Sequence, residues 1–308
     1  MMKTVCGLLL AGFSVTAQTA TVPLIVEGNA PIVELEFRTA AGAPRMARFV
    51  IDTGGGSFIL GSKLMADIGA QPAAAVLKSG EGTFVPLRPM VARLGDMELD
   101  LSGVRIFGSP GSERLIPRND AEGMIPARIL RHYDVVFDYP GRRFTLSKPG
   151  TSKPQGVEFQ TPISDPAGFP RIEAEIDGKT YGFLLDTGSS FTMISRVLLE
   201  TWVKQAPPWP SAIGATGFAN MFGGKMESEA LMLRIAELKL GAFAIKGVAA
   251  VSRPDGTYEK SMSRQMTALS PALWLATSCA IFASRSTMRP RRHISCNREP
   301  RPIRTWSR

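Results

Sequence analysis

The sequence predicts an all-β chain built as two tandem halves of about 110 to 130 residues, each with one or two short helices. Two observations carry this. The segment Phe49–Ser57, FVIDTGGGS, returns in altered form as Phe183–Phe191, FLLDTGSSF. Around each copy the same order of short apolar runs and turn residues appears, and the second round begins after a Pro-, Gly- and Ser-rich stretch, Lys148 to Gln155, that reads as a linker.

In the first half, apolar and charged residues alternate from Ile32 to Phe37, as in a strand with one wet face. A Gly-Ala-Pro turn leads into Met46 to Ile51, the strand that delivers Asp52, and Phe58 to Leu60 forms the next short strand. Ser62 is placed to cap a helix from Lys63 to Ile68, which Gly69 stops. Leu77 to Leu87 carries Gly80-Glu81-Gly82 at a hairpin tip. Strands are expected at Met90 to Leu94 and Met97 to Ile106, around a Gly95-Asp96 turn. Then come Gly123-Met124-Ile125-Pro126, a helical turn through Ile129 and Leu130, and the strand pair Val135 to Asp138 and Arg143 to Leu146.

The order restarts in the second half. Ile172 to Ile176 alternates, Asp177-Gly178 turns, Tyr181 to Leu185 delivers Asp186, and Thr192 to Ile194 leaves. Ser195 can cap a helix through Trp202, and Ala215 to Lys225, with Gly217, Gly223 and Gly224, takes the place of the first glycine hairpin. Glu229 to Leu240 and Phe243 to Val251 are strands around Gly241.

Each repeated segment presents a carboxylate at the end of a buried strand. Gly54 and Gly188 can adopt backbone angles closed to other residues, which would let the chain turn sharply behind the Asp. Thr53 and Thr187 supply short hydroxyls able to brace that turn. One Asp-Thr-Gly is an ordinary turn signal; two in matching apolar contexts point to a shared site.

The formal charge of +9 is unevenly spread. Residues 285 to 308 hold eight Arg against one Glu, a net +7, which leaves +2 for residues 1 to 284. A basic tail of this kind reads as solvated, and nucleic acid is not an expected partner. The first twenty residues read as an export signal: Lys3, an apolar run from Val5 to Val15, and a cut after Ala17. That places the protein in a periplasm or outside the cell, and the run is too short to span a bilayer. Cys279 and Cys296 lie in the tail and Cys6 in the signal, so residues 21 to 260 have no disulfide framework or cysteine metal site.

The doubled apolar-apolar-Asp-Thr-Gly pattern, with a glycine-rich hairpin after each copy, resembles the aspartic proteases of the pepsin and retropepsin superfamily, in the manner of bacterial single-chain forms. The likeness spans about residues 30 to 260. It implies two closed β-barrel halves related by a pseudo-twofold axis, residues 21–150 and 151–260, with hairpin flaps over the cleft and a monomer whose active site is pseudo-dimeric. It implies that Gly123-Met124-Ile125 backs the active-site loop, although Pro126 stands where a Gly is usual.

In that reading Asp52 and Asp186 form the catalytic pair, with Thr53, Gly54, Thr187 and Gly188 supporting the loops. Gly80, Glu81 and Gly82, and Gly214, Ala215, Thr216 and Gly217, are the flap candidates. Two carboxylates held close share a proton and titrate as a unit. The handover of that proton to and from a trapped water lets a peptide or protein substrate be hydrolysed with no cofactor and no metal. His132 reads as structural at a helix end, and Asp138 as a backbone hydrogen-bonder.

The tail departs from the pattern. The first half ends with ILRHYDVVFDY, Ile129 to Tyr139, and no partner stands near residue 280. Taking the last base of each codon with the first two of the next, and choosing synonymous bases to fit, Trp274 to Arg298 can be reread as AGNVLRHFRVTFDYAPAQTYFLQPG, which contains VLRHFRVTFDY. A one-base slip between about Val251 and Leu273 is therefore expected, which leaves the second half incomplete and residues 261–308 out of frame; the alternative is a genuine divergent tail. Ala268 to Ala283, which resembles a short helical or membrane segment, and the tail cysteines carry no weight under that expectation.

Two other readings share the same residues. One is a catalytically dead double barrel that binds peptides. The other is a phosphate-binding protein, since Asp-Thr-Gly also suits the phosphate loops of sugar kinases and actin-like ATPases, although such folds need long helices that the sequence lacks.

Overall fold

The computed structural model describes residues 17–27, 30–79, 82–109, 120–152, 157–161, 167–189, 191–204, 209–215, 228–253, 273–276, 286–289 and 293–296. The chain is all-β in two halves, with three short helices among the described residues. Residues 1–16 of the expected export signal, the linker end and most of the tail lie outside them, while residues 19 and 20 of that signal are the start of a strand.

The first half opens with β1 (Thr19–Pro23), β2 (Ile25–Glu27) and β3 (Ala30–Arg38), then β4 (Pro44–Asp52), which delivers Asp52. β5 (Phe58–Gly61) leads directly into α1 (Ser62–Asp67). The hairpin β6 (Leu77–Ser79) and β7 (Gly82–Pro86) follows, then β8 (Arg93–Leu94), β9 (Met97–Glu98) and β10 (Ile106–Ser109). β11 (Gly123–Pro126), α2 (Ala127–Leu130), β12 (Asp134–Asp138) and β13 (Arg143–Ser147) close the half.

After β14 (Val157–Gln160) the construction recurs. β15 (Arg171–Ile176) pairs with β16 (Lys179–Asp186), and β17 (Thr192–Ser195) leads into α3 (Arg196–Val203). β18 (Ser211–Gly214) pairs with β19 (Ala230–Leu240), which turns at Gly241 into β20 (Phe243–Arg253). The tail supplies β21 (Leu273–Ala276), β22 (Ser286–Arg289) and β23 (His293–Cys296).

Packing explains why these runs are strands. β4 reads PRMARFVID, and its last four residues are buried, so both faces of its end lie inside the protein. Phe49 stacks between Phe37 and Phe58 at ring-centroid distances of 5.5 and 5.2 Å. Fully burying such a ring is worth about 1.5–3 kcal/mol, which anchors the strand that presents Asp52. The second half repeats the scheme with Phe183, Leu184 and Leu185, all buried.

Pairing registers match as well. β11 runs parallel to β4 and antiparallel to β5; β21 holds the same relation to β16 and β17. Glu36 of β3 faces Arg93 of β8, and Glu175 of β15 faces Lys239 of β19. A six-stranded sheet in the order β1-β13-β12-β22-β23-β14 joins the end of the first half, the start of the second and the tail.

Two expectations need correction. Ser62 does not cap α1: it is the first helical residue, Gly61 is the N-cap, and no side chain accepts a hydrogen bond there. Met97 to Ile106 is not one strand, because Asp100 accepts the amide and hydroxyl of Ser102 and Gly103 takes a φ of +67°. That turn chemistry outweighs the apolar run around it. Tail residues do enter the sheets, as β21 to β23. Ser195, in contrast, caps α3 as expected by accepting the Leu198 amide at 3.4 Å.

Candidate active site

The site lies where the ends of β4 and β16 meet. Each strand end is held by a parallel neighbour, with Asp52 opposite Pro126 and Asp186 opposite Ala276. Ala127 donates its amide to the Gly55 carbonyl at 3.0 Å, which ties the first loop to the α2 turn. Pro126 is buried and has no amide to leave unsatisfied, and it ends the strand directly before the helix.

The two loops are joined by their threonines. The Thr53 amide donates to the Thr187 hydroxyl at 3.1 Å, and the Thr187 amide to the Thr53 hydroxyl at 2.9 Å. Each hydroxyl then donates to the other half: Thr53 to the Leu185 carbonyl at 2.6 Å, Thr187 to the Ile51 carbonyl at 2.5 Å. All four bonds are buried, so breaking one strands a polar group away from water.

Both carboxyl groups are fully buried. Asp52 Oδ1 accepts the Gly54 amide at 2.9 Å, and Asp186 Oδ1 accepts the Gly188 amide at 2.8 Å. The two carboxyls are near enough that each acts on the other's protonation. Burial, reinforced by the charge of Asp186, holds the Asp52 carboxyl well above the usual carboxylate range. Burial likewise raises Asp186, to about 6, against the opposing hydrogen bonds from Asp52 and the loop amides.

Gly54 and Gly188 are needed for space rather than for backbone freedom. Neither is among the positive-φ residues. A Cβ at Gly54 would sit 2.5 Å from Asp186 Cγ, and one at Gly188 would sit 2.6 Å from Asp52 Oδ1. Each glycine makes room for the opposite half's aspartate.

The structure thus brings together Asp52, Thr53, Gly54, Asp186, Thr187 and Gly188. Of the flap candidates, Gly82 begins β7, Gly214 ends β18 and Ala215 follows it, while Gly80, Glu81, Thr216 and Gly217 lie outside the described residues. Asp138 accepts the Gly141 amide at 2.9 Å and pairs with Arg143 at 3.1 Å, a role in the β12–β13 turn. His132 follows α2 and lines a separate cavity of about 830 Å³ with Met90, Leu99 and Tyr133, which neither aspartate lines.

Three contributors escaped the sequence. The carbonyls of Ile51 and Leu185 accept the crossed threonine bonds, and backbone atoms leave no mark on residue type. Gly55 is as constrained as Gly54, since a Cβ there would lie 2.7 Å from Asp52 Oδ2. Its signal is the run of three consecutive glycines, Gly54 to Gly56.

Residues 172–263 match the family model described as aspartyl protease. The chain resembles a retropepsin-like aspartic protease. The match covers the loop of Asp186 and supports a protease function with a peptide substrate. No match was found among curated proteins. Among the described residues, no cluster of three or more His, Cys, Asp or Glu could hold a metal ion, and no helix is long and apolar enough to cross a membrane.

Proposed function

We propose that this protein is an aspartic endopeptidase in which Asp52 and Asp186 act together on one water. The observation that carries the reading is the crossed pair of loops: two buried carboxyls near each other, held by threonines that each bond to the opposite half. Two carboxylates this close cannot both ionise easily, so one proton is held between them. Aspartic-protease dyads are the standard instance of such sharing.

The chemistry follows from that proton. The ionised carboxylate takes a proton from a water placed between the pair, and the water oxygen attacks the scissile carbonyl carbon. The protonated partner donates to the carbonyl oxygen as it gains charge. On collapse a hydroxyl of the tetrahedral intermediate returns a proton to the dyad, the C–N bond breaks, the amine leaves with the dyad's other proton, and one proton again lies between the two aspartates. The near-symmetric hydrogen bonding of Asp52 and Asp186 suits either residue to either role.

Because both carboxyls are buried, a substrate needs a covering segment to open. We assign that task to the glycine hairpins at residues 80–82 and 214–217. Export to a periplasm or beyond, by the apolar segment at the start of the chain, completes the reading, with the two halves arising by duplication and acting as a monomer.

The decisive experiment is cleavage of a broad peptide library from pH 3 to 8 by the protein and its Asp52→Asn variant. The reading predicts cleavage that the variant lowers by at least about 10²–10⁴-fold. Equal cleavage by both would sink it, and peptide binding without any cleavage would favour the dead double barrel. ATP binding would favour the phosphate reading.

A further inference from the structure

The wall behind the second aspartate is where the two halves differ. In the first half Gly123 stands opposite Phe49 on β4 and Leu60 on β5. That place admits no side chain: a Cβ there would lie 2.2 Å from the Phe49 ring and 2.6 Å from the Ile59 carbonyl oxygen. In the second half Leu273 stands opposite Phe183 on β16 and Ile194 on β17. Leu273 therefore holds the register position of Gly123, with Phe183 in that of Phe49.

We infer that the segment fitted to this wall is encoded in the shifted frame of codons 271 to 298, and that a glycine at codon 271 faces Phe183. Gly123 lies eight residues before the pair Arg131-His132. In the shifted frame Cys279-Ala280 reads as Arg-His when the third base of each codon is C, and eight positions earlier stands Pro271. A proline codon is CCN and the alanine codon after it begins GC, so the shifted codon is NGC. It specifies glycine when N is G.

From that point the landmarks keep a single offset of 148. Gly123, His132, Phe137, Asp138 and Gly150 correspond to shifted codons 271, 280, 285, 286 and 298, with no gap. Two of the three bases in each shifted codon are largely set by the present residues. The strands tell the same story: β11, β12 and β13 begin at 123, 134 and 143, so the offset places their partners at 271, 282 and 291. The present tail fills those sheet positions with strands beginning at 273, 286 and 293, two to four residues late. The slip then lies between Arg253, the end of β20, and Pro271.

This inference needs only the packing behind β16 and is independent of catalysis. Its test therefore reads sequence and folding, not cleavage. The nucleotide sequence across codons 250 to 300 is expected to show G as the third base of codon 271. Two chains are then expressed, one with the present tail and one with the frame restored before codon 271. The restored chain should unfold in one cooperative transition at a Tm higher by about 5 °C or more. Amide exchange at Phe183–Asp186 should be slower in it. Any other base at that codon, or a restored chain no more stable than the present one, would overturn the inference.

Discussion

Thr53 and Thr187 each accept the other's amide and each donate to a carbonyl of the opposite half, so the two aspartate loops are one hydrogen-bonded unit. The geometry of the carboxyl pair thus depends on both halves at once.

Thr53→Val or Thr187→Val keeps the shape and removes the hydroxyl, leaving a buried amide and a buried carbonyl without partners. Each change should cost about 1–3 kcal/mol of stability in urea unfolding. The double variant should depart from additivity by about 0.5–3 kcal/mol, because the bonds form one network. Serine at either place should restore most of the loss.

Stability should depend on pH through the buried pair. Folded Asp186 holds its proton up to about 6, against an ordinary value of 3.8, and Asp52 is also raised. The folded state therefore binds protons that the unfolded chain has released. The resulting stabilisation is complete below the ordinary carboxyl range and is lost as pH rises through about 6. Tm measured by calorimetry should fall between about pH 4 and 6.5 for this reason. Asp52→Asn removes one of the two raised groups and should flatten that fall; an unchanged slope would show that Asp52 is not raised in the folded state.

Gly54→Ala places a methyl group against Asp186, and Gly188→Ala places one against Asp52. Either should displace the opposite carboxyl and lower kcat by roughly 10²-fold, since misplacement by about 1 Å is enough. Peptide cleavage assays on the two variants check this, and the losses should be alike because the contacts are reciprocal.

The two helix starts make a contrasting pair. Ser195 accepts the Leu198 amide, so Ser195→Ala should cost about 1 kcal/mol. At α1 the N-cap is Gly61 and no side chain accepts a capping hydrogen bond, so that start has no such cap to lose. Chemical denaturation of the Ser195→Ala variant measures that loss.

Strands whose two faces meet different surroundings were legible from local pattern. β3, β15, β19 and the turns at Asp177-Gly178 and Gly241 follow from alternation and turn residues. β1 was not, because Thr19 to Pro23 is a strand through its pairing with β13, more than 120 residues away. β14 is likewise held by β23, more than 130 residues away. No local periodicity encodes such pairings.

By itself the sequence determined that two Asp-Thr-Gly segments end two buried strands, in matching order and with matching residue types. Covalent spacing and the alternation of apolar residues are local, and they survive in a string of letters. Only the tertiary structure decided that Gly54 faces Asp186, that Gly188 faces Asp52, and that each threonine bonds to the other half's carbonyl. Contacts between residues some 130 positions apart depend on how two sheets meet, and that is settled by packing and by the need to satisfy buried polar groups.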